Sequence, residues 1–374
     1  MAESLETPAL LLDLNRLDSN IRRMQTQLAP FNVTLRPHVK TNKCLEVTQR
    51  FFTDTRGPIT VSTLREADFF LAAGFIDILY GVGIAPNKFA HAARLIEQGA
   101  QLKLVLDNLD TARLLAEFAQ GSGQTFDVLL EIDCDGHRAG LEPDSPLLVT
   151  LAQQLAGSGV RVCGVMTHAG NSYDSLTVDD ILAYARQERA AVIDAARRLE
   201  EAGFALSVIS IGSTPTALFT EDLSGITEVR AGVYAFFDLV MAGLGVCTVD
   251  EIAVSVLTSV IGHQADKGWL IVDAGWMALS RDRGTAKQRV DQGYGIVCDV
   301  SGQPIGDLIV SAANQEHGII SSRSGSPDPA LALPVGTQLR ILPNHACATA
   351  AQHPGYHVLS EGQHVDHWPR ITGW

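Results

Sequence analysis

The chain has 374 residues, with 28 lysines and arginines against 42 aspartates and glutamates, a formal charge of −14. That length suits one large α/β barrel with a second, smaller domain, and the acidic balance opposes nonspecific binding to nucleic acid or to an anionic membrane. The opening residues lack the basic and apolar regions of a signal peptide, no run approaches a membrane span, and six scattered cysteines make no disulfide framework, so a cytoplasmic protein is expected.

Ala9 to Leu14 is an apolar run ahead of Asn15, a helix-capping residue type, and residues 1–14 are expected to join a β domain built later in the chain. From residue 34, short apolar and β-branched runs recur at 34–39, 59–63, 76–81, 102–107, 126–133, 161–167, 207–212 and 226–234. The segments 64–73, 109–120 and 178–202 between them carry apolar residues at three- and four-residue spacing with charges opposite, a helical pattern. Runs such as 102–106 and 208–211 suit strands buried on both faces, so the eight βα units predict a (β/α)8 TIM-type barrel over 15–245. A doubly wound open sheet is the alternative.

In such a barrel the C-terminal ends of the strands carry the chemistry. The first run ends in Arg36-Pro-His38-Val-Lys40-Thr-Asn-Lys43. A lysine that attacks an aldehyde must be neutral, a state favoured by burial and by nearby positive charge, here expected from Arg36, His38 and Lys43. A solvated basic loop is the bland alternative. The fifth run ends at Asp133 ahead of Gly136-His-Arg138-Ala-Gly140, and the sixth ends in Thr167-His168-Ala-Gly170. Asp133 fits either a group that positions Arg138 or a satisfied strand-end carboxylate. The seventh run leads into Gly212-Ser213-Thr214-Pro-Thr216, and the eighth carries Glu228-Val-Arg230-Ala-Gly232-Val233. Gly, Ser and Thr late in a barrel offer N–H groups and hydroxyls to a phosphate, although Ser213 or Thr214 also reads as an ordinary helix cap.

After residue 245 the runs 251–263, 268–274, 294–300, 306–313 and 337–342 follow one another without helices, which predicts a β domain over 246–374 with a loop at 321–329. Near its end stands Leu342-Pro-Asn-His345-Ala-Cys347. His and Cys two residues apart are expected to project from one side of an extended segment, and imidazole with thiolate is a borderline-soft pair suited to zinc. Two protein ligands leave positions open for water or substrate. His353, His357, His364 and His367 follow, and a histidine-rich surface tail is the competing reading.

Six motifs in this order, Arg36-Pro-His-Val-Lys-Thr, Gly136-His-Arg-Ala-Gly, Thr167-His-Ala-Gly, Gly212-Ser-Thr-Pro-Thr, Val229-Arg-Ala-Gly-Val-Tyr and Pro343-Asn-His-Ala-Cys, span nearly the whole chain. Together they resemble the metal-activated, pyridoxal-phosphate-dependent D-serine dehydratase and D-threonine aldolase family, which has the alanine racemase-like fold. The strings Ile261-Gly-His-Gln-Ala-Asp-Lys-Gly-Trp269 and Asp273-Ala-Gly-Trp-Met-Ala278 are most similar to its dehydratase branch. The resemblance implies that Lys40 forms the Schiff base with pyridoxal 5'-phosphate and later takes the α-proton. It implies Arg138 at the cofactor's phenolic oxygen and His168 against its ring, with Gly212, Ser213, Thr214, Gly232 and Val233 on its phosphate. Arg230 would face the pyridine nitrogen, where an arginine can only donate and leaves the ring a weaker electron sink. His345 and Cys347 would hold a divalent ion, zinc or manganese with magnesium or cobalt as alternatives, which activates the substrate's β-hydroxyl. His38, Tyr173, Gln315, Glu316 and His317 are candidates for the pocket or for orienting the metal ligands.

The reaction so implied is dehydration of a D-3-hydroxy amino acid (D-threo-3-hydroxyaspartate, D-serine or D-threonine) to a 2-oxo acid and ammonia by a homodimer in which one subunit's β domain faces the other's barrel mouth. A retro-aldol cleavage of the same substrates is the nearest rival. The family's aldolases carry a carboxylate where this chain has Cys347, which favours dehydration. A non-catalytic pyridoxal-phosphate carrier would resemble the barrel alone, and alanine racemase itself would need a tyrosine base in place of the metal pair.

Overall fold

The computed structural model describes residues 5–53, 56–326 and 328–374. Residues 1–4 of the expected N-terminal segment and Pro327 of the expected 321–329 loop lie outside the described residues. The chain divides into two compact units, one of Met24–Gly232 with Gly373–Trp374, the other of Met1–Arg23 with Val233–Thr372. The break after the barrel falls at Val233, ahead of the change in texture at residue 245.

The chain begins with strand β1 (Ala9–Asp13) and a helix, Leu14–Leu28. That helix is capped by Asp13, whose Oδ1 accepts a hydrogen bond from the Arg16 amide at 3.0 Å; Asn15, the expected cap, lies within its first turn.

The first unit contains eight parallel strands, β2 (Thr34–Pro37), β3 (Ile59–Val61), β4 (Asp77–Gly83), β5 (Gln101–Leu106), β6 (Phe126–Ile132), β7 (Val160–Thr167), β8 (Val208–Ile211) and β9 (Glu228–Ala231). They run in the order β2-β9-β8-β7-β6-β5-β4-β3. A parallel bridge between His38 and Thr60, with the Val39 amide donating to the Thr60 carbonyl at 2.9 Å, joins the two ends. The circle so formed is a (β/α)8 barrel, and the open-sheet alternative is excluded. Leu79, Val105, Leu129, Cys163, Met166 and Val208, drawn from five successive strands, form one of its apolar clusters. The surrounding helices start where their sequence dictates. Thr63 caps Leu64–Ala72, Asn108 caps Leu109–Ser122, and Thr177 with Asp180 makes a capping box for Val178–Glu201.

In the second unit β1 is joined by β10 (Val254–Gln264), β11 (Trp269–Val272), β12 (Gly295–Cys298), β13 (Pro304–Ala313), β14 (Gly318–Ser322), β15 (Gln338–Pro343), β16 (Gly355–Ser360) and β17 (Gln363–Pro369). The sheet order is β11-β14-β13-β12-β15-β10-β1-β16-β17, and an added β10–β11 pairing closes its first six strands into an antiparallel barrel. The N-terminal strand lies between β10 and β16, antiparallel to one and parallel to the other. Three strands escape the sequence reading. β14 overlaps the start of the expected loop at 321–329, and β16 and β17 form a hairpin from the histidine-rich segment for which a surface tail was the competing reading. No helix among the described residues is long and apolar enough to cross a membrane.

Candidate functional site

At the C-terminal ends of the barrel strands, the chain brings Lys40, His38, His168, Arg138 and Arg230 into one electrostatic neighbourhood. His168 feels the charges of Arg138, Lys40 and Arg230, and His38 feels those of Lys40 and Arg230. Lys40 itself is exposed, in the turn after β2, so the expected burial of its amine is not found. The three groups expected to surround it with positive charge do not do so. Arg36 turns into the barrel interior, bonding Glu228 at 2.8 Å and Asp77 at 3.0 Å; burial works against its charge and the two carboxylates outweigh it, leaving its pKa above the ordinary arginine value. Lys43 pairs with Glu66 at 3.1 Å. His38 is held well below the usual imidazole range, by burial first and then by Lys40 and Arg230, so it is neutral.

His168 is neutral as well. Burial pulls its pKa down to about 3, against the opposing effect of its Nδ1 contact with the Gly212 carbonyl at 2.7 Å. A neutral imidazole facing a carbonyl must donate from Nδ1, which leaves its flat face and Nε2 available. Tyr173 stands beside it, 6.0 Å between ring centroids, and its hydroxyl accepts from the Thr214 amide at 3.4 Å.

The loop after β8 is built around Gly212 and Ser213. Gly212 has φ +152°, and a Cβ there would lie 1.8 Å from the Arg230 carbonyl oxygen, so only glycine lets the two strand ends meet. Ser213 caps the short helix Thr214–Phe219, its Oγ accepting from the Thr216 amide at 3.2 Å and meeting Ser172 Oγ at 2.9 Å. Thus the capping role foreseen as an alternative is real, and it leaves Thr214 in the helix's first turn. At the end of β9, Gly232 passes so close to β2 that a Cβ would lie 2.8 Å from Thr41 Oγ1 and 2.9 Å from the His38 carbonyl oxygen; Val233 starts the turn Val233–Ala235. Two glycines whose Cβ positions are filled by neighbouring backbone, flanked by hydroxyls and a strand-end lysine, fit a cofactor phosphate that approaches the main chain.

Glu188, which the sequence reading passed over, fastens this loop. Completely buried, it accepts from the Ala169 amide at 3.1 Å, the Gly212 amide at 3.0 Å and Thr216 Oγ1 at 2.8 Å. Burial pushes its pKa up, and those three donors with Arg230 pull it back. Its signal is present in the sequence: Ile181, Ala185, Glu188, Val192, Ala195 and Leu199 form one helical stripe, and Glu188 is the charged member of it.

Arg230 is also buried, with Nη1 on Ser210 Oγ and Nη2 on the Thr167 carbonyl, each at 2.5 Å. Burial lowers its pKa from the ordinary arginine value, opposed by Glu228, Glu188 and Glu131. Arg138, more than half exposed, approaches Glu131 at 3.7 Å. Asp133 instead accepts from the amides of Asp135 and Gly136 at 3.1 and 2.7 Å; it is a satisfied strand-end carboxylate.

The second unit holds the other cluster. β15 ends at Pro343, His345 is the N-cap of helix Ala346–Ala350, and Cys347 falls in its first turn. The pair therefore does not lie on an extended segment as expected; a helical turn brings the two side chains within hydrogen-bond reach of each other. His345 Nδ1 contacts Asp282 Oδ2 at 2.6 Å, and Asp238 adds a nearby carboxylate. Burial lowers the His345 pKa, but Asp282, Cys347 and Asp238 together carry it up to about 11. Asn344 locks the turn, donating to the Gly293 carbonyl at 2.7 Å and accepting from Thr285 Oγ1 at 3.1 Å. A carboxylate on Nδ1 leaves Nε2 as the coordinating nitrogen, beside a thiol, and this donor set fits a borderline divalent ion with Asp282 orienting the ligand. Gln315, Glu316 and His317, expected in the pocket or as orienting groups, lie on the exposed β13–β14 turn, where the Asn314 and Gln315 carbonyls accept from the Trp276 and Met277 amides at 2.9 and 3.1 Å.

Comparison with known proteins identifies the family of the chain. Residues 12–240 match the family "Alanine racemase, N-terminal domain", and residues 253–359 match "Putative serine dehydratase domain". The chain belongs to this pyridoxal-phosphate-dependent family of alanine racemase-like fold, and to its dehydratase-type members. It is 50% identical over 374 residues to D-threo-3-hydroxyaspartate dehydratase of Delftia sp. (strain HT23), covering 99% of this chain and 98% of that protein. The solved structure of that enzyme matches with a TM-score of 0.97, covering 100% of this chain and 99% of the other. D-serine dehydratase of Dictyostelium discoideum is 32% identical, covering 97% of this chain and 95% of its own, and D-threonine aldolase of Arthrobacter sp. is 30% identical, covering 97% and 92%. Two further solved structures, each 50% identical with a TM-score of 0.97, are of D-threo-3-hydroxyaspartate dehydratase variants, one with a histidine-to-alanine change and the other, two positions further on, with a cysteine-to-alanine change in the metal-free form.

Two outcomes follow from the barrel cluster. Glu188→Ala strands three buried donors, each worth about 1–3 kcal/mol when unsatisfied, so the urea midpoint should drop steeply and cofactor should dissociate more readily; unchanged stability would refute the fastening role. His168, neutral in the fold down to about pH 3, binds a proton in the unfolded chain below about 6.5. Stability should therefore fall as pH drops through that window, by up to about 1.4 kcal/mol per pH unit for each such histidine. Urea unfolding at about pH 7 and pH 5 should show the fall, and His168→Gln should reduce it.

Proposed function

We propose that this protein is a pyridoxal-phosphate- and divalent-metal-dependent dehydratase, a cytoplasmic homodimer that converts a D-3-hydroxy amino acid, D-threo-3-hydroxyaspartate foremost, to the 2-oxo acid and ammonia. The observation that carries this reading is the coexistence of two built clusters in one chain, the Lys40 cradle pinned by Glu188 and the His345–Cys347 pair oriented by Asp282. The dehydratase it matches over its full length supports the same reaction, and the spacing of the two variants known for that enzyme equals the spacing of His345 and Cys347. Zinc or manganese suits the pair, since imidazole and thiolate are borderline-soft donors.

When bound, pyridoxal phosphate supplies an electron sink for the Cα electron pair, and the ion supplies a Lewis acid for the β-hydroxyl. Lys40 would hold the cofactor through its amine and would be the base that takes the proton from Cα. His168 offers a neutral face, fixed by its bond to Gly212. Ser213, Thr214 and the backbone of Gly212, Gly232 and Val233 would hold the phosphate, while Arg138 would donate to the phenolic oxygen and Arg230 to the pyridine nitrogen. Tyr173 steadies Thr214 through its amide. His345 and Cys347 would hold the ion, and Asp282, on His345 Nδ1, would keep the ring in the orientation that presents Nε2. Loss of the Cα proton and of the β-hydroxyl as water leaves an enamine, which tautomerises and takes up water to release ammonia and the 2-oxo acid.

Borohydride treatment of the coloured holoenzyme should fix the cofactor to Lys40, and Lys40→Ala should turn over nothing; labelling of another lysine would remove Lys40 from its role. With D-threo-3-hydroxyaspartate the expected products are oxaloacetate and ammonia in equal amounts. Glycine and glyoxylate would establish the aldolase reaction instead, and no turnover of any D-3-hydroxy amino acid would leave a carrier. Cys347→Ala should lose metal and activity while keeping the visible absorbance of bound cofactor, because the ligand pair lies outside the cradle that holds it.

A further inference from the structure

The terminal hairpin gathers three of the four histidines that follow Cys347. In β16 and β17, His357 pairs directly with His367, Val358 with Asp366, and then the register slips so that Leu359 pairs with His364. Side chains alternate along a strand, and His364 and His367 are three residues apart, so without the slip they would point to opposite faces. The bulge at Val365 moves His364 to the face shared by His357 and His367. Gly355 adds the space: a Cβ there would lie 2.8 Å from both Cε1 and Nε2 of His367. The rings of His364 and His367 then stand 5.3 and 4.9 Å from that of His357, measured between centroids.

We propose that His357, His364 and His367 form a second metal site, made of residues other than His345 and Cys347, for a divalent transition ion of the zinc, nickel or copper class. His357 Nδ1 and His364 Nε2 lie 3.4 Å apart. Two imidazole nitrogens bound to one tetrahedral zinc at about 2.0–2.1 Å are separated by about 3.4 Å, so these two donors already have the spacing the ion requires. Among the described residues no group of three ligating side chains is already set around one point. Here two are set, and the third, His367, is on an exposed position of the edge strand, where rotation about its side-chain bonds brings its ring in. Burial and the two neighbouring imidazoles lower the pKa of His357, which keeps it an unprotonated donor at neutral pH. Asp366 contributes no ligand, since its carboxylate accepts from Trp368 Nε1 and the His367 amide, both at 2.8 Å. Three imidazoles without a thiolate suit zinc, nickel and copper and disfavour magnesium and calcium, which take oxygen ligands.

The test compares full-length protein with His357→Ala and His364→Ala, each stripped with chelator, re-equilibrated with zinc at neutral pH and dialysed before elemental analysis. Wild type should retain one equivalent per chain more than either variant, the difference should vanish at about pH 5 as protons displace the ion, and ammonia release from substrate should be the same in all three. Copper(II) loading gives an independent signature, nitrogen hyperfine structure in the electron paramagnetic resonance spectrum of the extra equivalent, absent from His364→Ala. His364→Gln, which keeps a side chain of similar reach, guards against a folding artefact and should also lose the equivalent. Equal metal content in wild type and variants, or an extra equivalent that survives in His364→Gln with an unchanged copper spectrum, would overturn the site and leave an imidazole–imidazole hydrogen bond in its place. A failure of the His345–Cys347 assignment reads differently, because it removes metal-dependent turnover without changing this equivalent.

Discussion

The reactive end of the barrel depends on a carboxylate with no access to water. A buried ionised group is costly unless charge-assisted hydrogen bonds satisfy it, and Glu188 collects three, from Ala169 after β7 and from Gly212 and Thr216 after β8. Those bonds fix Gly212 in place, and Gly212 in turn passes the constraint on. Its carbonyl accepts from His168, setting the tautomer and plane of that ring, while its missing side chain lets β8 close on β9 beside Arg230. One helix residue thus aligns two loops and an imidazole, and each of them depends on the helical stripe that carries Glu188 inward.

A second buried network sets the charge of the barrel interior. Arg230 donates to Ser210, Ser210 donates to Glu228 at 2.7 Å, Glu228 accepts from Arg36, and Arg36 meets Asp77, which also takes Lys103 at 2.8 Å. Anions and cations alternate, so removing any one leaves a neighbour buried without its partner, a loss of about 3–5 kcal/mol where the pair is fully enclosed. Arg36 belongs to this chain of charges and not to the surroundings of Lys40. Adjacent residues on a strand point to opposite sides, and the side to which Arg36 turns is fixed by partners 41 and 192 positions away.

That separation marks the boundary of what the sequence discloses. The barrel was legible because its strands are short apolar runs at a regular βα period, and the positions of Lys40 and His168 were legible because each directly follows such a run, whereas Arg230 lies within the run 226–234. Glu188 was legible in principle, as a charge on an apolar stripe. Asp282 was not, because 63 residues separate it from His345 and nothing in Arg281-Asp-Arg283 distinguishes it from a solvated loop carboxylate. The last two strands hid for another reason: their polar residues and the bulge at Val365 break the alternation by which a half-buried strand is recognised. The geometry of His345 and Cys347 was misread through the same limit, since Pro343 ends the strand and the helix that begins at Ala346 is only five residues long.

In the proposed reaction the two clusters would divide the chemical task between them. Arg230 can only donate, and its guanidinium is held by Ser210 and the Thr167 carbonyl, so in the proposed mechanism the barrel unit would offer a donor to the cofactor nitrogen where an acid would offer a proton. An enzyme built on that arrangement withdraws less charge from Cα and needs help at the leaving group. In the same proposal Cys347 and His345 would answer that need from the second unit, where Asp282 and Asp238 concentrate negative charge around the imidazole and favour a cation beside it. On the proposed reading, retaining Arg230 and retaining the ligand pair would be linked requirements: a carboxylate at position 230 would strengthen the electron sink and relieve the demand for an ion, but it would set a fourth anion beside Glu228, Glu188 and Glu131.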